Sequence, residues 1–169
     1  NSDFLINGYQ NNAIKLSKFN NYGDVIWTKK YTSTLPFHLE PDPALANNDD
    51  TLTILNTRNI ELNGHIQILK LDSMGDSLLA LDVDVISSYG NNYGVSIFQF
   101  ENSDYLLFII SGSLFSIKSI VICRTNNQGI VKWSKEYKFK DIVFSRTIKE
   151  IKKIGKGKFL MAGSNNVVI

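Results

Sequence analysis

The chain is short of the residues that lock small folds covalently. Cys123 is the single cysteine among 169 residues, which excludes a disulfide within this chain and a metal site of the multi-cysteine kind. It sits in the apolar run Ile120-Val121-Ile122-Cys123, the setting of a buried, inert thiol rather than of a nucleophile. Histidine is almost as scarce: His38 and His65 are far apart in sequence, and no histidine-rich zinc signature is present. All three prolines, Pro36, Pro41 and Pro43, fall in one short stretch. There is no excess of either charge. Eighteen Lys and Arg against 16 Asp and Glu leave a net charge of +2, without the basic face that nucleic acid requires. The densest basic stretch, Lys149 to Lys158, is interrupted by Ile151 and Ile154 and reads as a solvated strand edge and turn. Long apolar runs are also missing. The longest, Tyr105 to Ile110, has the length of a strand and not of a membrane span. No signal peptide and no initiating Met are visible at Asn1-Ser2-Asp3, so the chain reads as processed or partial.

What is present is a period. Gly23, Gly75 and Gly129 stand 52 and 54 residues apart, and the same columns surround each. Nine residues earlier stand Ile14, Ile66 and Ile120; seven earlier, Leu16, Ile68 and Ile122; five earlier, the cations Lys18, Lys70 and Arg124. Four residues later stand Trp27, Leu79 and Trp133; eight later, Tyr31, Val83 and Tyr137. The Ile-x-Leu-x-Lys text alternates with period two, so it is a strand with one apolar face. The Asn/Asp/Ser-rich segment ending in Gly is turn chemistry, with glycine supplying a positive φ. A second strand carrying Trp and Tyr follows and pairs back on the first.

Two further strands complete each unit. Phe4-Leu5-Ile6-Asn7-Gly8, Thr51 to Leu55, Asp104 to Ile110 and Lys158-Phe159-Leu160-Met161-Ala162-Gly163 form one series. Val95 to Phe100 and Ile142 to Ile151 are inter-unit strands. The matching stretch Thr34 to Asn48 holds the prolines and is expected at an edge or in a loop. Four antiparallel strands per roughly 50 residues is the period of a propeller blade.

The motif is similar to that of bacterial secreted and surface β-propellers, whose blades read aromatic-Leu-Ile-x-Gly … Lys-x-Asp-x-x-Gly-x-x-x-Trp-x-x-x-Tyr. The resembling text here is Phe4 to Gly8, then Lys18 to Gly23 with Trp27 and Tyr31, then Lys70 to Gly75, then Arg124 to Gly129 with Trp133 and Tyr137. In the second copy Leu79 and Val83 replace the aromatics. The expected fold is therefore all-β and propeller-like, about 3.5 four-stranded antiparallel blades forming part of a larger ring. The blade segments are about 1–33, 34–86, 87–139 and 140–169. The resemblance implies a non-catalytic binding or scaffold module of a secreted or cell-surface protein. The alternatives are the propeller portion of an extracellular, glycan-processing enzyme with its catalytic residues elsewhere, and a subunit that completes a ring by self-association. The remaining blades come from a longer chain or from a second copy.

Residues that follow the period are expected to pack. Trp27, Trp133, Tyr31 and Tyr137 are read as unit-to-unit packing, and Lys18, Lys70 and Arg124 as cations whose stems lie on apolar surface and whose heads reach water or a carboxylate. Residues that break the period are the candidate contacts. Phe37, His38, Glu40 and Asp42 lie in the proline-rich stretch, where the last three alternate and share one face of an extended chain. They lack the spacing of a calcium loop and are read as an insertion that meets a protein or carbohydrate partner. Tyr89 and Tyr93 flank Gly90-Asn91-Asn92, a turn whose tyrosines can touch a ligand. No nucleophile elbow, phosphate loop or other catalytic motif is present, and no metal or cofactor is implied.

Overall fold

The computed structural model describes residues 3–10, 13–32, 44–46, 50–60, 63–113, 116–138, 148–155 and 157–163. These are all-β. The strands are β1 (Phe4–Gln10), β2 (Ala13–Phe19), β3 (Val25–Thr32), β4 (Ala44–Ala46), β5 (Leu52–Ile60), β6 (Asn63–Leu71), β7 (Ser77–Val83), β8 (Asn92–Gln99), β9 (Tyr105–Ser113), β10 (Ser116–Thr125), β11 (Val131–Lys138), β12 (Ile148–Gly155) and β13 (Lys158–Gly163). They form four sheets in chain order: β1-β2-β3, β4-β5-β6-β7, β8-β9-β10-β11 and β12-β13. All pairings are antiparallel between neighbours in sequence. The expected irregular stretch contributes the short strand β4, which pairs with β5 at the edge of the second sheet. The inter-unit strand expected from Ile142 is described from Ile148 onward.

Consecutive sheets stack through side chains that alternate along each strand. In the second sheet Leu52, Ile54, Leu69 and Leu71 pack with Ile14, Leu16 and Trp27 of the first. Their neighbours on the opposite face, Leu55, Ile66 and Ile68, pack with Ile97, Leu107, Ile109 and Val121 of the third. The third sheet repeats the device: Leu106 and Phe108 turn away from the second sheet and meet Ile151 and Phe159 of the fourth. A sheet covered on both faces needs apolar residues at odd and even positions alike. That is why β9 reads Tyr105-Leu106-Leu107-Phe108-Ile109 without a polar break.

The three hairpins β2–β3, β6–β7 and β10–β11 are built alike. Each carries a register shift just after its cation, at Lys18/Phe19, Lys70/Leu71 and Arg124/Thr125. In each turn one side-chain oxygen caps two backbone amides. Asn20 Oδ1 accepts from Tyr22 and Asp24, Asp72 Oδ1 from Met74 and Asp76, and Asn126 Oδ1 from Gln128 and Ile130, at 2.7–2.9 Å. The glycine after each has φ of +88°, +78° and +78°, a region that any Cβ disfavours.

The turn of the second sheet is clasped by the first. The Trp27 indole Nε1 donates to the Ser73 carbonyl at 2.9 Å, the Tyr31 hydroxyl donates to the Gly75 carbonyl, and Lys29 pairs with Asp76. Burial, with Asp76 and Asp72 nearby, pushes the Tyr31 phenol up to about 12. The turn of the third sheet lies instead on aliphatic chains, with Gly129 against Leu81.

The second and third sheets approach so closely at one end that glycine is required there. A Cβ on Gly64 would stand 2.1 Å from the Asn92 carbonyl oxygen, and one on Gly94 would stand 2.7 Å from Leu55 Cγ. Gly64→Ala must push backbone apart, so it is expected to lower stability by about 1–3 kcal/mol in urea unfolding. A neutral outcome would mean that the two sheets do not meet at this point.

Candidate functional site

The expected contacts Phe37, His38, Glu40 and Asp42 lie outside the described residues. Tyr89 and Tyr93 are described, and the structure separates them. Tyr89 is exposed in the segment that joins β7 to β8, whereas Tyr93 is half-buried within β8 and pairs with Ile110. The reading of Tyr89 to Gly94 as one turn is thus corrected: the turn ends at Gly90 and Asn92 opens the strand. The cause is tertiary. The Gly94 amide donates to Thr57 Oγ1 of β5 at 2.9 Å, which draws this end of β8 into the sheet stack.

The segment Asp84–Asn91 is held at several points. The Ser88 hydroxyl and amide donate to the two Glu136 carboxylate oxygens at 2.6 and 3.2 Å. The Ser119 hydroxyl donates to the same carboxylate at 2.6 Å. Ser111 Oγ donates to Ser87 Oγ at 2.7 Å, and the Gly112 amide donates to the Asn91 carbonyl at 3.1 Å. A loop tied by side chains of β9, β10 and β11 is ordered before any ligand arrives, which lowers the entropic cost of binding.

Beside this loop lies a recess of about 340 Å³ bounded by Gly64, His65, Asp84, Ile86, Gly90 and Asn92. Its wall has an unmet demand. Asn92 is 4% exposed, and its Nδ2 donates to the Val85 carbonyl at 3.3 Å, but its Oδ1 has no partner. Asn91 Oδ1 is buried and unpartnered in the same way. A buried acceptor left without a donor costs about 1–3 kcal/mol, so such atoms mark a place for a donor from water or ligand. The arrangement can accept hydrogen bonds. Among the described residues it holds no group of three or more metal-ligating side chains.

The periodic residues divide. Trp27 and Tyr31 pack between sheets as expected. Trp133 and Tyr137 do not: each is 45% exposed, because among the described residues no turn lies on β11 as the 72–76 turn lies on β3. The cations Lys18 and Arg124 meet carboxylates. Lys18 pairs with Asp3 at 3.0 Å, and Arg124 pairs with Asp104 at 2.8 Å while stacking over Phe100. Asp104 also takes Lys132, at 2.9 Å. The Lys132 hydrogen bond, acting against burial and aided by Arg124 and Asn102, holds the Asp104 carboxyl below its ordinary value. Cys123 is fully buried, and burial pushes its thiol up to about 11. Sequence reasoning missed Glu136, Ser87, Ser88 and Gly64. They bear on the loop only across separations of some 20–50 residues, which no local pattern encodes.

Comparison with models of protein families and with curated proteins finds no match to this sequence. Among the described residues no helix is long and apolar enough to cross a membrane.

Two outcomes follow from the charges and the thiol. Burial works to raise the Glu136 pKa, but the hydrogen bonds from Ser119 and Ser88, with Lys138 nearby, bring it below the ordinary 4.5. The stabilisation is therefore fully present above about that value and is lost as pH falls below it. Thermal melts from pH 7 to pH 2.5 should show a steeper acid loss for the wild type than for Glu136→Gln; parallel curves would remove Glu136 from the pinning of the loop. Cys123 should react with a thiol reagent at pH 8 only at the rate of unfolding, and rapid labelling of the native chain would contradict its burial.

Proposed function

We propose that the chain is a non-catalytic binding or scaffold module, of propeller-like architecture, in a secreted or cell-surface protein. The observation that carries this reading is the pinned Asp84–Asn91 loop with the buried, unpartnered amide oxygen of Asn92 in the wall of a recess. A wall that carries the Asp84 carboxylate and the Asn92 amide oxygen, fixed by distant side chains, suits recognition of a ligand rich in hydroxyl or amide donors. Tyr89, exposed beside Gly90 of the recess wall, adds an aromatic surface of the kind that binding loops use. A carbohydrate meets both demands, offering hydroxyl donors to Asp84 and Asn92 and C–H faces to an aromatic ring. Stacked sheets and covered faces supply a rigid frame for such a loop. The extracytoplasmic placement and the propeller description rest on the blade-like motif of the sequence.

A glycan array probed with the full chain, followed by calorimetry on any hit, tests the reading. Binding without turnover of the glycan is expected, and Tyr89→Ala should weaken it by about tenfold with the melting temperature unchanged. Hydrolysis of a bound glycan would overturn the non-catalytic assignment. Binding that is indifferent to Tyr89→Ala would move the site elsewhere.

A further inference from the structure

Two surfaces of this chain are each half of a joint that the chain makes internally. The internal joint sets Trp27, Lys29 and Tyr31 of β3 against the Ser73 carbonyl, Asp76 and the Gly75 carbonyl of the next sheet's turn. At the same offsets from its own turn glycine, β11 carries Trp133, Lys135 and Tyr137. Among the described residues nothing seats on them: Trp133 and Tyr137 are each 45% exposed, against 7% for Trp27. Lys135 has folded back over the Tyr137 ring at 5.1 Å, where Lys29 reaches across to a carboxylate.

The complementary half is the turn of the first hairpin. Asn20-Asn21-Tyr22-Gly23-Asp24 has the backbone closure of 72–76, with the Asn20 amide donating to the Asp24 carbonyl at 3.0 Å as Asp72 does to Asp76 at 2.9 Å. Among the described residues nothing seats on it: Tyr22 is 84% exposed and nothing lies within 4 Å of a Cβ placed on Gly23. In the chain's other occupied joint both halves differ together. There the clasping strand carries Leu79, Leu81 and Val83, and the turn it meets has Ile130 where the other two turns have an aspartate. A Trp/Lys/Tyr strand thus goes with a Gly-Asp turn and an aliphatic strand with a Gly-Ile turn. The free strand is of the first type, and so is the free turn.

We propose that two copies of this chain associate head to tail, the Asn20–Asp24 turn of one copy seating on Trp133, Lys135 and Tyr137 of the other. Carried over from the internal joint, the Trp133 indole donates to the Asn21 carbonyl, the Tyr137 hydroxyl donates to the Gly23 carbonyl, and Lys135 pairs with Asp24. The apolar recess of about 440 Å³ beside Trp133, bounded also by Ile122, Phe159 and Met161, receives the flank of the incoming hairpin. Strand β13 borders this recess and stands to β12 as β5 stands to β4. Its text, Phe159-Leu160-Met161-Ala162-Gly163, nearly repeats Phe4-Leu5-Ile6-Asn7-Gly8 of β1. Seated this way it occupies the place that β1 holds against β2 of the partner, so β1 is released from that pairing in the assembled joint. The inference is independent of the glycan reading, because Trp133, Lys135 and Tyr137 alternate with Glu136 and so share the other face of β11.

Sedimentation of the full chain across about 1–300 µM tests it. Concentration-dependent dimers or larger head-to-tail species are expected, and a monomer throughout overturns the proposal. Trp133→Ala should weaken association about tenfold or more, with circular dichroism and the melting temperature kept as the control for folding. Asp24→Lys and Lys135→Glu should each weaken it about fivefold. A heterologous contact then makes a demand that no unrelated surface meets: mixing the two single variants restores association, and so does the double variant. Association that ignores all three substitutions, or single variants that fail to complement, would place the contact elsewhere. In a Trp27→Phe background, Trp133 emission should shift to the blue as the concentration rises; a constant spectrum across the association would also overturn it.

Discussion

The fold depends on a tight turn whose amides are satisfied from within while the carbonyls at its tip, those of Ser73 and Gly75 in the second sheet, take donors from the neighbouring sheet. Asn20, Asp72 and Asn126 each cap two backbone N–H groups with one side-chain oxygen. This leaves outward-facing carbonyls that need donors. In the second sheet the donors are the indole of Trp27 and the hydroxyl of Tyr31 from the sheet before. Aromatic side chains suit the task because one end is apolar and the other is polar. The ring fills space between sheets while the N–H or O–H reaches the turn. Glycine completes the arrangement. Its positive φ closes the turn, and a Cβ on Gly75 would stand only 3.0 Å from the Trp27 ring and the Tyr31 hydroxyl.

The other end of the stack is organised by different physics. Gly64 and Gly94 allow backbone to meet backbone and side chain at distances that a methyl group would forbid. Once the sheets are that close, β8 is drawn against β5, and the loop before it must run over the ends of β9, β10 and β11. Glu136 and the serines then tie it down. The result is a loop with little freedom and two amide oxygens without donors. That combination carries the binding proposal, because rigidity and unmet polarity together favour a ligand that supplies what the protein withholds.

In the two proposals one surface serves recognition and the other serves assembly. The Asp84–Asn91 loop breaks the period, and its chemistry is local to one place in the chain. The Trp133 face follows the period, and its chemistry is already exhibited at Trp27. A repeated joint that is filled once and open once contains its own control. Side chains of identical type differ in exposure only because one set has a turn on it.

Strand count, hairpin positions and the buried columns were legible in the sequence, because a strand between two sheets writes its apolar residues at fixed intervals. Ile14, Leu16, Ile66 and Ile68 fall where the period puts them, and the cations at Lys18 and Arg124 find the carboxylates expected of them. The inert character of Cys123 was readable from its apolar neighbours. What the period could not tell is which copies of a residue are covered. Trp27 and Trp133 occupy the same column with the same neighbours in sequence, yet one is buried and the other half-exposed. Exposure belongs to the partner that lies on the residue, and that partner is 46 residues away for Trp27. The same holds for Tyr89 and Tyr93, a pair in the sequence that the Gly94–Thr57 contact divides between loop and strand. Local chemistry determined the elements and their turns. Only the stacking of the sheets decided which faces were spent on the fold and which were left open.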